Sequence, residues 1–258
     1  MMTRLLKRAY MLAVYAFLYA PIAILVVYSF NQSKYGMRWK GFSMRWYDKL
    51  AGNDALVHAA LNSLFIAVCA ASLATLFGTL AAVAIQRYRF KGRNLLRMSM
   101  YVLTVSPDLV MGISLLVLFV AMRIPLGAGT LLIAHTTFCL PFVVITVLGR
   151  LKGFDENLVE AARDLGAGEF TIFREVTLPL VLPSVVAGWL LSFTLSLDDV
   201  MVSFFVTGPG FEILPLKVYS MVRLGVKPEV NALCTILFGA TIILTTIYHF
   251  ISRERRSR

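Results

Sequence analysis

Charge is what this sequence has least of. Only 15% of its residues are Asp, Glu, Lys or Arg, against ~25% in soluble domains. That leaves too little polar surface to wrap a globule of 258 residues, which excludes a soluble enzyme and a disordered tail. Cysteine is scarce as well. Cys69, Cys139 and Cys234 each lie inside an apolar run, which excludes a secreted disulfide scaffold and implies no metal site. The three histidines, His58, His135 and His249, fall in separate segments without metal-ligand spacing. No G-x-x-x-x-G-K-[ST] stretch is present to cradle ATP phosphates, and no Ser or Cys has a base nearby in sequence. Apolar residues are abundant, at 59%. These observations describe a membrane protein without catalytic, metal or cofactor chemistry of its own.

A helix crossing ~30 Å of hydrocarbon needs about 20 apolar residues. Six runs meet that requirement: Tyr10 to Phe30, Leu61 to Ile85, Met98 to Val120, Leu126 to Leu148, Ser184 to Val206 and Ala232 to Ile251. The expected fold class is therefore an all-α polytopic membrane protein with six transmembrane helices in one domain over residues 1–258. The first run is too long for a signal peptide and lacks a small-residue cleavage site, so it reads as an uncleaved anchor. The net charge of +11 would point to nucleic acid in a soluble chain. Here the basic residues sit in short gaps between the spans and act as topology signals, so no nucleic-acid partner is implied. Sixteen of the 25 Lys and Arg lie at the two termini and in the gaps 86–97 and 149–183. Both termini are accordingly expected in the cytoplasm.

The gap 149–183 is not an idle loop. It carries six acids, and Leu158, Ala161, Ala162 and Leu165 recur at helical spacing. Asp155 is placed to cap the start of that helix, and Gly166 stands where it would stop. A second short helix after Gly168 brings Phe170, Phe173 and Val176 roughly to one side and is expected to end at Pro179. Two amphipathic helices at the membrane surface have an apolar face to bury, which predicts docking to a partner protein.

Within this gap Glu160-Ala161-Ala162, then Gly166, then Val176-Thr177-Leu178-Pro179 resembles the EAA signature of permease subunits in binding-protein-dependent ABC importers, with Val where Ile is usual. Further segments extend the resemblance over nearly the whole chain: Ser106-Pro107-Asp108, His135 to Phe142, Leu195-Ser196-Leu197-Asp198-Asp199, Thr207-Gly208-Pro209 and Glu212 to Ser220. They are similar to the inner-membrane permease subunits of spermidine/putrescine importers. The resemblance implies a type I importer fold with a cytoplasmic coupling helix, in a bacterial inner membrane. It also implies a homologous second permease, two copies of a cytoplasmic ATPase that binds the ATP, and a periplasmic binding protein delivering polyamine. Glu160, Ala161, Ala162, Gly166, Leu178 and Pro179 would then carry ATPase coupling. Glu169, which opens the second helix, is expected to meet the ATPase rather than substrate.

Acids inside apolar runs are the other signal. Asp108 falls in the third predicted span and Asp198 with Asp199 in the fifth, although a centred Asp costs ~2.5–3.5 kcal/mol on insertion scales. Such residues face a cavity or a partner, or serve an interhelical hydrogen bond or a helix-end cap. Ser192, Ser196, Asp199 and Ser203 are spaced 4, 3 and 4 apart, one stripe of a continuous helix that is expected to face a pore. Asp198 lies about 100° round from Asp199. Asp108 and the Asp198-Asp199 pair are expected at two levels of one path, replacing the hydration of successive ammonium groups. Trp46, in the first outer loop, is a candidate for cation–π contact with substrate or the binding protein, or an interface anchor. An importer of the same architecture for another small solute is the alternative function. Two intramembrane aspartates also raise an intramembrane aspartyl protease, whose motifs these segments do not resemble.

Overall fold

The computed structural model describes residues 2–33, 38–153, 157–223, 228–239 and 242–243. Among them the secondary structure is helical, apart from one isolated β-bridge between Asn31 and Phe42. The helices are α1 (Met2–Ser29), α2 (Arg45–Ala51), α3 (Asp54–Arg87), α4 (Arg93–Val105), α5 (Asp108–Ala121), α6 (Ala128–Leu151), α7 (Asn157–Asp164), α8 (Glu169–Thr171), α9 (Leu178–Asp198), α10 (Met201–Val206) and α11 (Leu214–Arg223). A π-helical turn, Ile172–Thr177, joins α8 to α9. Residues 228–239 are also helical. The predicted sixth span begins there, and most of it lies outside the described residues.

Four helices are long and apolar enough to span a bilayer: Leu6–Ser29, Asp54–Arg87, Ala128–Leu151 and Glu169–Asp198. These correspond to the first, second, fourth and fifth predicted spans. The third, expected as one helix from Met98 to Val120, is instead α4 and α5, bent by 115°. Pro107 causes the break. It lacks an N–H to donate and drives the residue before it out of the helical region, and Ser106 is extended at φ −65°, ψ 134°. Counted as one span, the pair makes a fifth crossing.

The fifth span also differs from expectation at both ends. The helix does not stop at Pro179, because the π turn before it widens the backbone and gives the ring room against the preceding carbonyls. At the other end α9 finishes at Asp198, and Asp199 is extended at φ −65°, ψ 127° before α10 begins. The predicted continuous helix through Val206 is thus two helices.

The chain divides into two compact units. One holds residues 1–57 and 217–258. The loop after α1 is built on Asn31, whose Oδ1 accepts from the backbone N–H of Ser33 (3.1 Å) and Lys40 (3.0 Å) while Nδ2 donates to the Arg38 carbonyl (2.9 Å). The other, residues 58–216, carries the core. One cluster there packs Val143, Val144 and Val147 of α6 against Ala74 and Ala82 of α3 and Val181 of α9. A second joins Phe119 of α5, Leu131 and Ala134 of α6, and Val202 and Val206 of α10. Close approach depends on glycine. A Cβ on Gly112 would lie 2.9 Å from the Phe205 ring and 3.2 Å from the Val202 Cα.

Candidate functional site

The two helix breaks create the principal polar feature inside the spans. Asp108 is the first residue of α5, and Asp198 is the last of α9. Both side chains are exposed. They are near enough to act on one another electrostatically, and Asp199 acts on Asp198 as well. Asp108 and Asp198 are thus within electrostatic reach of one another. The break at Pro107 explains the tolerance of Asp108, which sits at a helix N-terminus, where the positive end of the backbone dipole favours an anion; Asp198, at the C-terminal end of α9, has no such support.

Asp199 is placed differently from its neighbour. It is 9% exposed. Its Oδ1 accepts from the Val202 N–H (3.2 Å), and Oδ2 accepts from the Ser203 N–H (2.8 Å) and the Ser203 hydroxyl (2.7 Å). This caps the start of α10. The expectation that Ser192, Ser196, Asp199 and Ser203 form a pore-facing stripe is corrected: all four are buried. The stripe prediction assumed one unbroken helix. The break at Asp199 turns Ser203 onto a second helix, and the polar groups close on a residue of α6. That residue is His135, wholly buried, with Nδ1 2.7 Å from Ser196 Oγ and Nε2 2.8 Å from Ser203 Oγ. Sequence reading gave His135 no role; its only signal was a titratable side chain inside an apolar run.

Trp46 is also buried, at 4% exposure. Its indole N–H donates to the Asn31 carbonyl (2.7 Å), and the Arg45 guanidinium lies 4.2 Å from the ring centroid. The ring thus supports the loop between α1 and α2 and is not open to a ligand. Lys49 lies 5.9 Å from the same ring and pairs with Glu229.

The predicted coupling segment contains the expected first helix, α7. Asp155, its predicted cap, lies outside the described residues. Gly166 ends the helix at φ +80°. The Ala167 N–H bonds the Ala162 carbonyl (3.0 Å) and the Gly166 N–H bonds that of Arg163 (2.8 Å), the paired closure of a left-handed C-terminus. Glu160 and Ala161 are exposed, Ala162 is half-buried, Leu178 is half-buried at the start of α9, and Pro179 is exposed. Leu158, Leu165 and Phe170 leave a row of apolar side chains uncovered, with Leu165 88% and Phe170 73% exposed.

Glu169 lies at the far end of a 30-residue helical segment. At ~1.5 Å per residue that segment exceeds ~30 Å of hydrocarbon, and the cluster of Arg87, Arg163 and Glu169 marks this end as the one outside it. Its carboxylate bonds Arg163 (2.8 Å), pairs with Arg87 at the end of α3 (2.8 Å) and accepts from the Tyr88 hydroxyl (3.2 Å). The bond from Arg163, aided by Arg87 and Tyr88, holds its carboxyl below the ordinary carboxylate value. Beneath it Arg87, Leu151, Val159, Glu160, Arg163 and Thr177 line a cleft of about 170 Å³.

Residues 74–257 match the family described as the binding-protein-dependent transport system inner membrane component. The chain belongs to that family. It is a multi-pass membrane permease and not an enzyme. The permease is 56% identical over 255 residues to the spermidine/putrescine transport system permease protein PotC of Escherichia coli strain K12, covering 99% of this chain and 97% of that one. It is 53% identical to PotC of Haemophilus influenzae (96% and 97% covered). The putrescine transport system permease protein PotI of E. coli K12 is 44% identical (95% and 90%). Among solved structures, a bacterial ABC transporter involved in import of the acidic polysaccharide alginate matches with a TM-score of 0.76 at 18% identity, covering 95% of this chain and 94% of that one. The fold is that of type I ABC importer permeases.

Proposed function

We propose that this permease is a membrane-spanning subunit of an ATP-driven polyamine importer. It forms a translocation path with a homologous second permease and couples that path to two copies of a cytoplasmic ATPase, which bind the ATP. A periplasmic polyamine-binding protein delivers substrate, and both termini lie in the cytoplasm. The observation that carries this reading is the exposed Asp108 and Asp198 at two helix breaks of one unit, in a chain 56% identical to a spermidine/putrescine permease.

Carboxylates grouped at the ends of broken helices can exchange the water around an ammonium group for fixed negative charge without a continuous backbone ladder standing in the way. A polyamine carries several such groups on a flexible chain, so it can pass between acids while remaining partly neutralised. Asp108 and Asp198 are the residues assigned to that contact. Asp199 and Ser196 shape the wall behind it, and Trp46 supports the outer loop. The uncovered apolar row Leu158, Leu165 and Phe170, beside Glu160, supplies the face for the ATPase, while Glu169 ties that face to α3.

The test is reconstitution of the permease pair in proteoliposomes with and without the ATPase and the binding protein. Spermidine uptake that needs ATP and both partners supports the proposal. Flux without the ATPase would show a passive channel, and uptake of amino acids undiminished by excess spermidine would show an importer for a different solute.

A further inference from the structure

We propose that His135 is a positioning residue for the translocation path, a buried clamp that fixes how the break between α9 and α10 presents Asp198. This rests on the reading of Asp198 as a path carboxylate. A single imidazole from α6 reaches the last turn of α9 through Ser196 and the first turn of α10 through Ser203. It is the side chain that bridges both sides of the break, and the Phe138 ring packs edge-on against it.

The hydrogen inventory gives the clamp a direction. Ser203 Oγ lies 2.7 Å from Asp199 Oδ2, a separation that needs a proton between the two oxygens. The Ser203 hydroxyl donates to Asp199 Oδ2, so its hydrogen is committed there. Ser203 Oγ must then accept from His135, which places the imidazole proton on Nε2. The bare Nδ1 accepts from the Ser196 hydroxyl. The chain of donors runs from Ser196 through His135 and Ser203 to Asp199, with every member buried.

The consequence for Asp198 is geometric. It lies two residues beyond Ser196, about 200° round the helix. Drawing Ser196 inward to His135 turns Asp198 outward, to the exposed side of the helix. The second arm fixes where α10 starts, so the last residue of α9 can neither unwind nor rotate. Without the imidazole the Ser196 hydroxyl would lose its acceptor and Ser203 Oγ its donor in an apolar interior, while the Ser203 bond to Asp199 remained, and the break would rearrange to satisfy the freed groups.

The experiment places a thiol at the path, Asp198→Cys, in a transporter whose Cys69, Cys139 and Cys234 are replaced by Ala, and follows its reaction with a cationic methanethiosulfonate. Adding His135→Leu is expected to change the reaction rate about tenfold, the scale of one lost buried hydrogen bond. His135→Gln, whose amide can still reach Ser203, is expected to restore most of it. Val143→Ala, a cavity in the same helix away from the clamp, should leave the rate unaltered. If the introduced thiol reacts at a rate indifferent to His135→Leu in properly assembled transporter, the clamp alone is overturned. If the parent Asp198→Cys variant does not react at all, the path reading falls and the clamp with it. Independently, ¹⁵N resonances of the imidazole, assigned by their loss in His135→Gln, should report a neutral ring protonated on Nε2; a proton on Nδ1 overturns the clamp's direction.

Discussion

Asp198 and Asp199 are adjacent in sequence and opposite in role, and the difference shows how little a residue type fixes on its own. Asp198→Asn removes an exposed charge while keeping the size and shape of the side chain. Uptake by the assembled transporter should fall at least about tenfold, since a charge-assisted contact becomes a neutral one, with no change in melting temperature. Asp199→Asn puts an amide where Oδ2 accepts two hydrogen bonds from Ser203. Loss of that cap should cost about 2 kcal/mol, read as a lowered melting temperature before any transport is measured. Gly208 is a third case: a Cβ there would stand 1.9 Å from the Leu126 carbonyl oxygen, a backbone atom that cannot give way. Gly208→Ala is expected to destabilise the fold by more than about 3 kcal/mol, seen as a loss of monodisperse permease on size exclusion. The acids were legible in the sequence because they interrupt apolar runs. Which of them is buried was not, because that follows from where α9 ends.

At the scale of elements, the segment proposed for coupling was readable almost residue by residue from α7 to Gly166. Its apolar spacing, its glycine stop and its uncovered face are all local properties. Gly166→Ala forces a Cβ into a left-handed position at a cost of about 1 kcal/mol. The expected result is faster proteolysis between α7 and α8, together with weaker stimulation of ATP hydrolysis by the permease. Beyond Gly168 the sequence misled, since Pro179 reads as a stop and the π turn carries the helix past it. Likewise Pro107 signals a kink in sequence, but a bend of 115° depends on what α4 and α5 each pack against.

The ion pairs of Glu169 tie this segment to the end of α3. Glu169→Gln should lower transport more than it lowers ATPase binding, measured by uptake and by co-purification. Because the Glu169 carboxyl is held below its ordinary value of 4.5, the latch is complete above that pH and is lost only as pH falls through the lower folded value. Titration of the Glu169 carboxyl by ¹³C NMR should therefore place its midpoint under 4.5, and Arg163→Ala should move that midpoint upward.

For the molecule as a whole, orientation is a sum over many charges, and sums of this kind survive local errors. A reporter fused to either terminus is expected to be active only if it folds in the cytoplasm. Activity of a periplasmic reporter at the C-terminus would reverse the assignment.

What the sequence determined by itself was the class of protein, most of its spans and the amphipathic helix α7 with its glycine stop. Hydropathy, charge placement and helical period are each set by neighbours within a few residues, and the bilayer imposes the rest. What only the tertiary structure decided was the polar interior: the break at Asp199, the burial of Ser196 and Ser203, and the arrival of His135 from a helix some sixty positions earlier. Hydrogen bonds between distant segments leave no periodic trace in a chain, because their partners are matched by three-dimensional packing and not by spacing.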